Sequence, residues 1–426
     1  MSRTAEIRAL AHREPHRAAD ALRRLLTDLF GFEASNIRIN NDQYSLNSLN
    51  GTFDVADSSF FFKFHQEKDE AAMSGEYYRA EILAEAGLPV DQPLHVSTLP
   101  GEQILVYRRR NDPRFSDVVR RLEFETTEVA LQAALAVERD LCQKLLKVYL
   151  ATLHPITPAQ ASAEPINRLF HERMVDSVSR HFPGGRLADF YIGKRFQFPG
   201  VTLEWRDFSR LKFVINGVPY AHSIGELLEM AADRLHPRRL ADAGGVVAHG
   251  DAHNANVWYA EENGIAGLRL FDPAFAGAHM PTLLAEIKPT FHNIFAHPLW
   301  LYEPAEAGRI FRGHTDLKDG LLHVDIDWRL SLIRSELLQI RAISLWQPLL
   351  RELACRRLLP SDWRSVIRLG LFLSPTLVMN LRAGAATHTP LSSLIAFSVA
   401  IMVGSPPTHG ADMVTEFLDL IDPGQE

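Results

Sequence analysis

Apolar positions between residues 16 and 31 (HRAADALRRLLTDLFG) recur at helical spacing and end on a glycine, which predicts an amphipathic helix with a glycine C-cap. The pattern changes over 37–64. There IRINNDQYSLNSLNGTFDVADSSFFFKF is rich in β-formers, and its Asn50-Gly51 pair predicts a turn. The stretch closes on an apolar run, Phe60–Phe64, broken by the single Lys63. Residues 70–86 return to helical spacing and stop at Gly87, with Pro89 just beyond; Ile104–Tyr107 adds one short strand. These elements predict a small α+β lobe over residues 1–110, with the helix 16–31 leading it.

Beyond Pro113 the pattern is mainly helical, and residues 111–426 are expected to form a second, larger lobe. A long helix is predicted over 125–153, followed by a Pro/Ala/Ser-containing connection at 155–168. Leu211–His222 reads as a hairpin about Asn216-Gly217, with Pro219 restricting its second arm to a sheet edge. Ser223 is placed to cap a helix running to Leu235. Two strands, Asn256–Tyr259 and Leu268–Phe271, flank the turn-rich AEENG, and helices are predicted from Trp328 to Leu420. The most apolar stretch, Leu391–Val403, has about 13 residues against the roughly 20 a bilayer demands. Its neighbour Leu369–Met379 is interrupted by Ser374-Pro375. Both read as buried helices, so no membrane partner is expected.

Composition narrows the class. Among 426 residues, 46% are hydrophobic and 23% charged, which excludes a disordered chain, a collagen-like fibre and a coiled coil. Lys and Arg total 45 against 52 Asp and Glu, a net charge of −7. A protein living on nucleic-acid phosphates carries the opposite sign, so no nucleic-acid partner is expected. Cys142 and Cys355 stand far apart and make no disulfide framework; with an N-terminus lacking the apolar core of a secretory signal, they point to the cytoplasm. Oligomeric state is not legible.

The chemistry concentrates in His249-Gly250-Asp251-Ala252-His253-Asn254-Ala255-Asn256, followed by Asp272 in Leu270-Phe271-Asp272-Pro273. Phosphoryl transfer uses these residue types together. One carboxylate receives or orients the acceptor proton, while an amide oxygen and a second carboxylate give Mg²⁺ its hard oxygen ligands.

The string H-G-D-x-H-x-x-N with a following apolar-apolar-Asp resembles the aminoglycoside phosphotransferase and choline kinase group of small-molecule kinases. The wording FDPAFAG is similar to the Asp-Pro variants of ketosamine kinases in that group. The resemblance implies an α+β, protein-kinase-like two-lobe fold: a small antiparallel sheet lobe with one helix, then a larger helical lobe carrying the motifs at 249–277. It implies Asp251 as catalytic carboxylate, Asn256 and Asp272 as Mg²⁺ ligands, ATP or GTP as donor, and a small-molecule hydroxyl as acceptor. Sugars, amino sugars, amino alcohols and aminoglycosides are the acceptor classes. A strand lysine and a helix glutamate are also implied; Lys63 and Glu76 stand thirteen apart, with Glu81 a second choice of partner. Ile104–Arg108 becomes the hinge strand, its backbone facing adenine at Leu105 and Tyr107.

The sequence departs from the group in places. The phosphate-covering segment Ser45–Gly51 has one glycine, and residues 120–240 match nothing in the group. Acceptor contacts are expected from 285–300, which offers Glu286 but also Lys288, His292 and His297, not an acidic surface for a polycation. His249 is expected to orient the loop by bonding backbone carbonyls. Two other readings stay open: a kinase fold that binds nucleotide without catalysis, and a metal-dependent hydrolase using His249, Asp251 and His253.

Overall fold

The computed structural model describes residues 2–11, 13–40, 48–65, 79–125 and 127–424. The chain forms two compact units. One comprises Met1–Glu85, Pro89–Asp112 and Arg269–Ala274; the other comprises Ala86–Leu88, Pro113–Leu268 and Phe275–Glu426. The architecture is α+β, with an antiparallel sheet near the N-terminus and mainly helical structure after it, as expected.

The first unit opens with helices α1 (Arg3–Ala11) and α2 (Pro15–Phe30). Pro15 starts α2, and Gly31 ends it at φ +68, donating its N–H back to Thr27. Ala18, Leu22, Leu25 and Leu26 make its buried face. They pack on a sheet of β1 (Ser35–Asn40), β2 (Ser48–Val55), β3 (Ser58–His65), β4 (His95–Ser97) and β5 (Ile104–Arg108), in the order β1-β2-β3-β5-β4. Every neighbouring pair is antiparallel. Strand alternation sends Phe62 and Phe64 into this core and leaves Lys63 on the opposite face.

The turn expected at Asn50-Gly51 does not form. Both residues lie inside β2, opposite Lys63 and Phe62, and the reversal comes at Ala56 (φ +49) and Asp57. Gly51 is needed there for close approach: a Cβ would sit 2.0 Å from the Arg38 carbonyl oxygen and 2.7 Å from the Phe62 ring. Residues 79–85 are helical and Gly87 follows at φ +94; the earlier part of the expected helix, like residues 45–47 of the phosphate-covering segment, lies outside the described residues. Segment 269–274 returns to this unit. Leu270 bridges Val90 in parallel, and the Asp91 and Leu270 N–H groups donate to Leu270 and Pro89 carbonyls at 2.9 and 2.7 Å.

In the second unit the long helix Glu128–Thr152 is capped by Thr127, and Ser223 forms a capping box with Glu226 ahead of the helix Ile224–Arg234. A pair of strands that the pattern did not predict, β6 (Arg195–Phe198) and β7 (Val201–Glu204), forms one hairpin. The expected hairpin, β8 (Lys212–Ile215) and β9 (Val218–Pro219), turns on Asn216 and Gly217, both at positive φ. Strand β10 (Gly245–Ala248) precedes the motif loop. After it come β11 (Val257–Glu262) and β12 (Ile265–Leu270), which are hydrogen-bonded to each other, and then β13 (Gly277–Pro281), antiparallel to β10.

A second unpredicted hairpin, β14 (Gly313–Lys318) and β15 (Leu321–Ile326), extends the sheet to β14-β15-β8-β9, which leaves β9 and its Pro219 at the edge. The two most apolar stretches are buried helices, Trp363–Thr376 and Pro390–Gly404, packed together so closely that a Cβ on Gly404 would meet the Phe372 Cβ at 2.8 Å. Among the described residues no helix is long and apolar enough to cross a membrane.

Candidate active site

Buried strand β10 delivers His249–Asn256 at its C-terminal end. Gly250 has φ +78, and a Cβ there would meet Met280 Cε at 2.8 Å, Ile166 Cδ1 at 3.0 Å and the Phe275 carbonyl oxygen at 3.1 Å. Only glycine meets both demands, and the sharp reversal it permits sets the position of Asp251. Asp251 Oδ1 is shielded from solvent and accepts no hydrogen bond; the nearest cationic candidate on the loop, His253 Nε2, is 3.9 Å away. A buried carboxylate oxygen without a donor is costly, so it marks a place where an incoming group completes the bonding.

The rest of the loop is tied down. His249 is 1% exposed and its Nδ1 accepts the Asp251 N–H at 3.3 Å. Asn256 donates its amide N–H to the Asp251 carbonyl at 3.0 Å, which turns its amide oxygen away as the atom left for a ligand. Asn254 N–H donates to Asn293 Oδ1 at 2.7 Å. Arg334 then holds the Asn293 and Ala296 carbonyls at 2.8 and 2.9 Å and forms a 2.6 Å ion pair with Glu123. Asn293 and Arg334 were not singled out in the sequence, where neither stands in a motif.

Around Asp251 the structure gathers cations. Lys288 is 3% exposed, and its Nζ is 2.8 Å from His292 Nε2, whose Nδ1 is 2.7 Å from Tyr302 Oη. Burial pushes the Lys288 ammonium down to about 7; Asp251 opposes the drop, while Arg173 and Arg186 deepen it. Burial also lowers the Arg173 guanidinium to about 9, with Arg186 adding to the fall. His292 is driven well below its usual range by burial first and by Lys288 second. Arg173 lies in the stretch 120–240, which matched nothing in the group.

Of the acceptor candidates in 285–300, Glu286 is removed. It is 1% exposed and is consumed by Tyr149 and by Arg341, which also pairs with Glu138 at 2.7 Å. In the first unit, Lys63 Nζ donates to Asp272 Oδ1 at 2.6 Å, and Asp272 itself holds φ +56. The expected partner Glu76 lies outside the described residues; the second choice, Glu81, is exposed. Leu105 and Tyr107 pair with Lys63 and Phe61 across β3, and Arg109 N–H bonds the Ser59 carbonyl in the same ladder. That phase turns the backbone groups of Leu105 and Tyr107 toward β3. Among the described residues no group of three or more His, Cys, Asp or Glu is placed to hold a metal ion, so His249, Asp251 and His253 do not assemble as a triplet.

No protein-family model matches the chain, and no curated protein matches it. Among solved structures it is similar to a thermostable mutant of aminoglycoside phosphotransferase APH(4)-Ia, at 15% identity and TM-score 0.42, covering 88% of this chain and 97% of that one. It is also similar to spectinomycin phosphotransferase APH(9)-Ia in complex with ADP and spectinomycin, at 13% identity and TM-score 0.34, covering 90% and 98%. A third, aminoglycoside phosphotransferase APH(3'')-Id from Streptomyces rimosus, shares 17% identity at TM-score 0.34, covering 63% and 82%.

Proposed function

We propose that the chain is a kinase-like phosphotransferase that moves the terminal phosphoryl group of ATP, or of GTP, to a hydroxyl of a small molecule. One observation carries this reading: the loop His249–Asn256 holds a shielded, unbonded oxygen on Asp251 while anchoring Asn256 with its amide oxygen outward. Asp251 orients the acceptor hydroxyl and takes its proton as the oxygen attacks phosphorus. Asn256 and Asp272 would supply an amide and a carboxylate oxygen, the hard donor types that Mg²⁺ prefers. When bound, Mg²⁺ neutralises phosphate charge. Lys63, whose ammonium rests on Asp272 in the free protein, is the group available to the α- and β-phosphates.

The test is nucleotide consumption against a panel of sugars, amino sugars, amino alcohols and aminoglycosides, run with ATP and with GTP. With an acceptor in hand, Asp251→Asn is expected to lower kcat by at least ~10²-fold, since general-base catalysis contributes ~10²–10⁴. The rise in melting temperature on adding Mg²⁺ and nucleotide should persist in that variant. Near-normal turnover by Asp251→Asn refutes the assignment.

A further inference from the structure

Three separate elements bring positive charge to one carboxylate. The turn His171–Arg173 supplies Arg173, whose Nη1 is shielded from solvent and has no hydrogen-bond partner. The helix Ile287–Thr290 supplies Lys288, buried with its ammonium on the neutral ring of His292 and on no carboxylate. Arg186 stands behind them, fixed by the Leu377 and Val378 carbonyls at 3.1 and 3.0 Å. Facing these cations is Asp251, whose own Oδ1 is unbonded. Burying an ammonium and a guanidinium nitrogen without a matched anion is expensive, because desolvation is not repaid by a partner. The balance is restored when an anion enters.

We infer that Arg173 and Lys288 form a receptor for an anionic group, a carboxylate or phosphate monoester, beside Asp251. On the phosphotransferase reading above, which this inference extends, that group belongs to the acceptor. The acceptor is then a hydroxylated acid or a phosphorylated alcohol, not a polycation. The depressed ionisation of both side chains agrees with this: burial and cationic neighbours disfavour the charged form of each, Lys288 more than Arg173, and an arriving anion opposes that shift. On this reading one small molecule presents its hydroxyl to Asp251 while its charge rests on Arg173 and Lys288.

The experiment measures binding by calorimetry on the full chain without nucleotide, using matched pairs: glucose against gluconate and glucose 6-phosphate, and glycerol against glycerate. Inorganic phosphate is the minimal anion and kanamycin the polycation. The anionic members should bind about ten- to a hundredfold more tightly than their parents, the span of a charge-assisted hydrogen bond or two. Arg173→Gln and Lys288→Met should each erase that preference, and Arg173→Lys should restore part of it. The two variants remove charge from different elements, so misfolding of one leaves the other informative. Equal or better binding of neutral or cationic members overturns the inference, as does failure of every anion, phosphate included, to bind. It is also overturned if Arg173→Gln weakens Mg²⁺-ATP binding and leaves the acids untouched, since the cations would then serve the nucleotide. An intact acid preference beside an Asp251→Asn variant of full turnover keeps the anion receptor and removes the phosphotransferase reading.

Discussion

Lys63 sits between Phe62 and Phe64 in sequence but on the other face of β3, where its ammonium meets Asp272 at 2.6 Å and is 13% exposed. A half-exposed pair of this kind contributes about 1 kcal/mol or less to stability. Lys63→Met is therefore expected to melt within a few degrees of the parent, by thermal unfolding in the absence of ligand. The rise in melting temperature with Mg²⁺ and ATP should instead largely vanish, because mass-action stabilisation follows affinity. An unchanged nucleotide response would return Lys63 to a strand lysine with a purely structural partner. This residue, with Asp251, Asn256 and Asp272, is singled out in the sequence by residue type, order and spacing. Arg173 is not. A cation met singly in a sequence reads as solvated, and only its shielded, unbonded Nη1 distinguishes this one.

Elements were legible where periodicity ran long. The helix α2 and the buried helix Pro390–Gly404 follow the expected spans closely. The hairpins β6-β7 and β14-β15 were missed because arms of four to six residues give too few alternations, and charged residues such as Arg195 and Asp316 interrupt them. Nor does a linear pattern show how the motif loop is held. Its anchor runs from Asn254 to Asn293, from there to Arg334, and ends on Glu123, an ion pair with side chains 6% and 3% exposed. Arg334→Met strands the Glu123 charge and two carbonyls, and is expected to cost about 3–5 kcal/mol in chemical denaturation. Adding Glu123→Leu should recover part of that loss. A cost below about 1 kcal/mol would show that the pair behaves like an exposed one and is not the anchor.

Across the whole molecule the buried histidines set the response to acid. Burial holds His171, His297 and His388 down to about 4, and drives His292 well below its usual range. In the unfolded chain the same groups protonate near 6.5. Between those values the unfolded state binds more protons, so stability is full above about pH 6.5 and falls as pH drops toward about 4. Each group contributes up to roughly 1.4 kcal/mol per pH unit at full slope. Glu123, which burial alone would raise but Arg334 holds low, adds a further loss as pH falls through the carboxylate range. Denaturation midpoints measured from pH 8 to 4 should fall from about 6.5 downward; a flat profile to pH 4.5 would refute the histidine account. The return of segment 269–274 to the first unit has a consequence of a different kind, in time. Val90 and Asp91 find a backbone partner at Leu270. A ribosome adding about 5–20 residues per second needs on the order of ten seconds to make residues 113–268 in between. The unit that starts first in the chain is thus finished late, and during synthesis the edge at residues 89–91 waits for a stretch of polypeptide that does not yet exist.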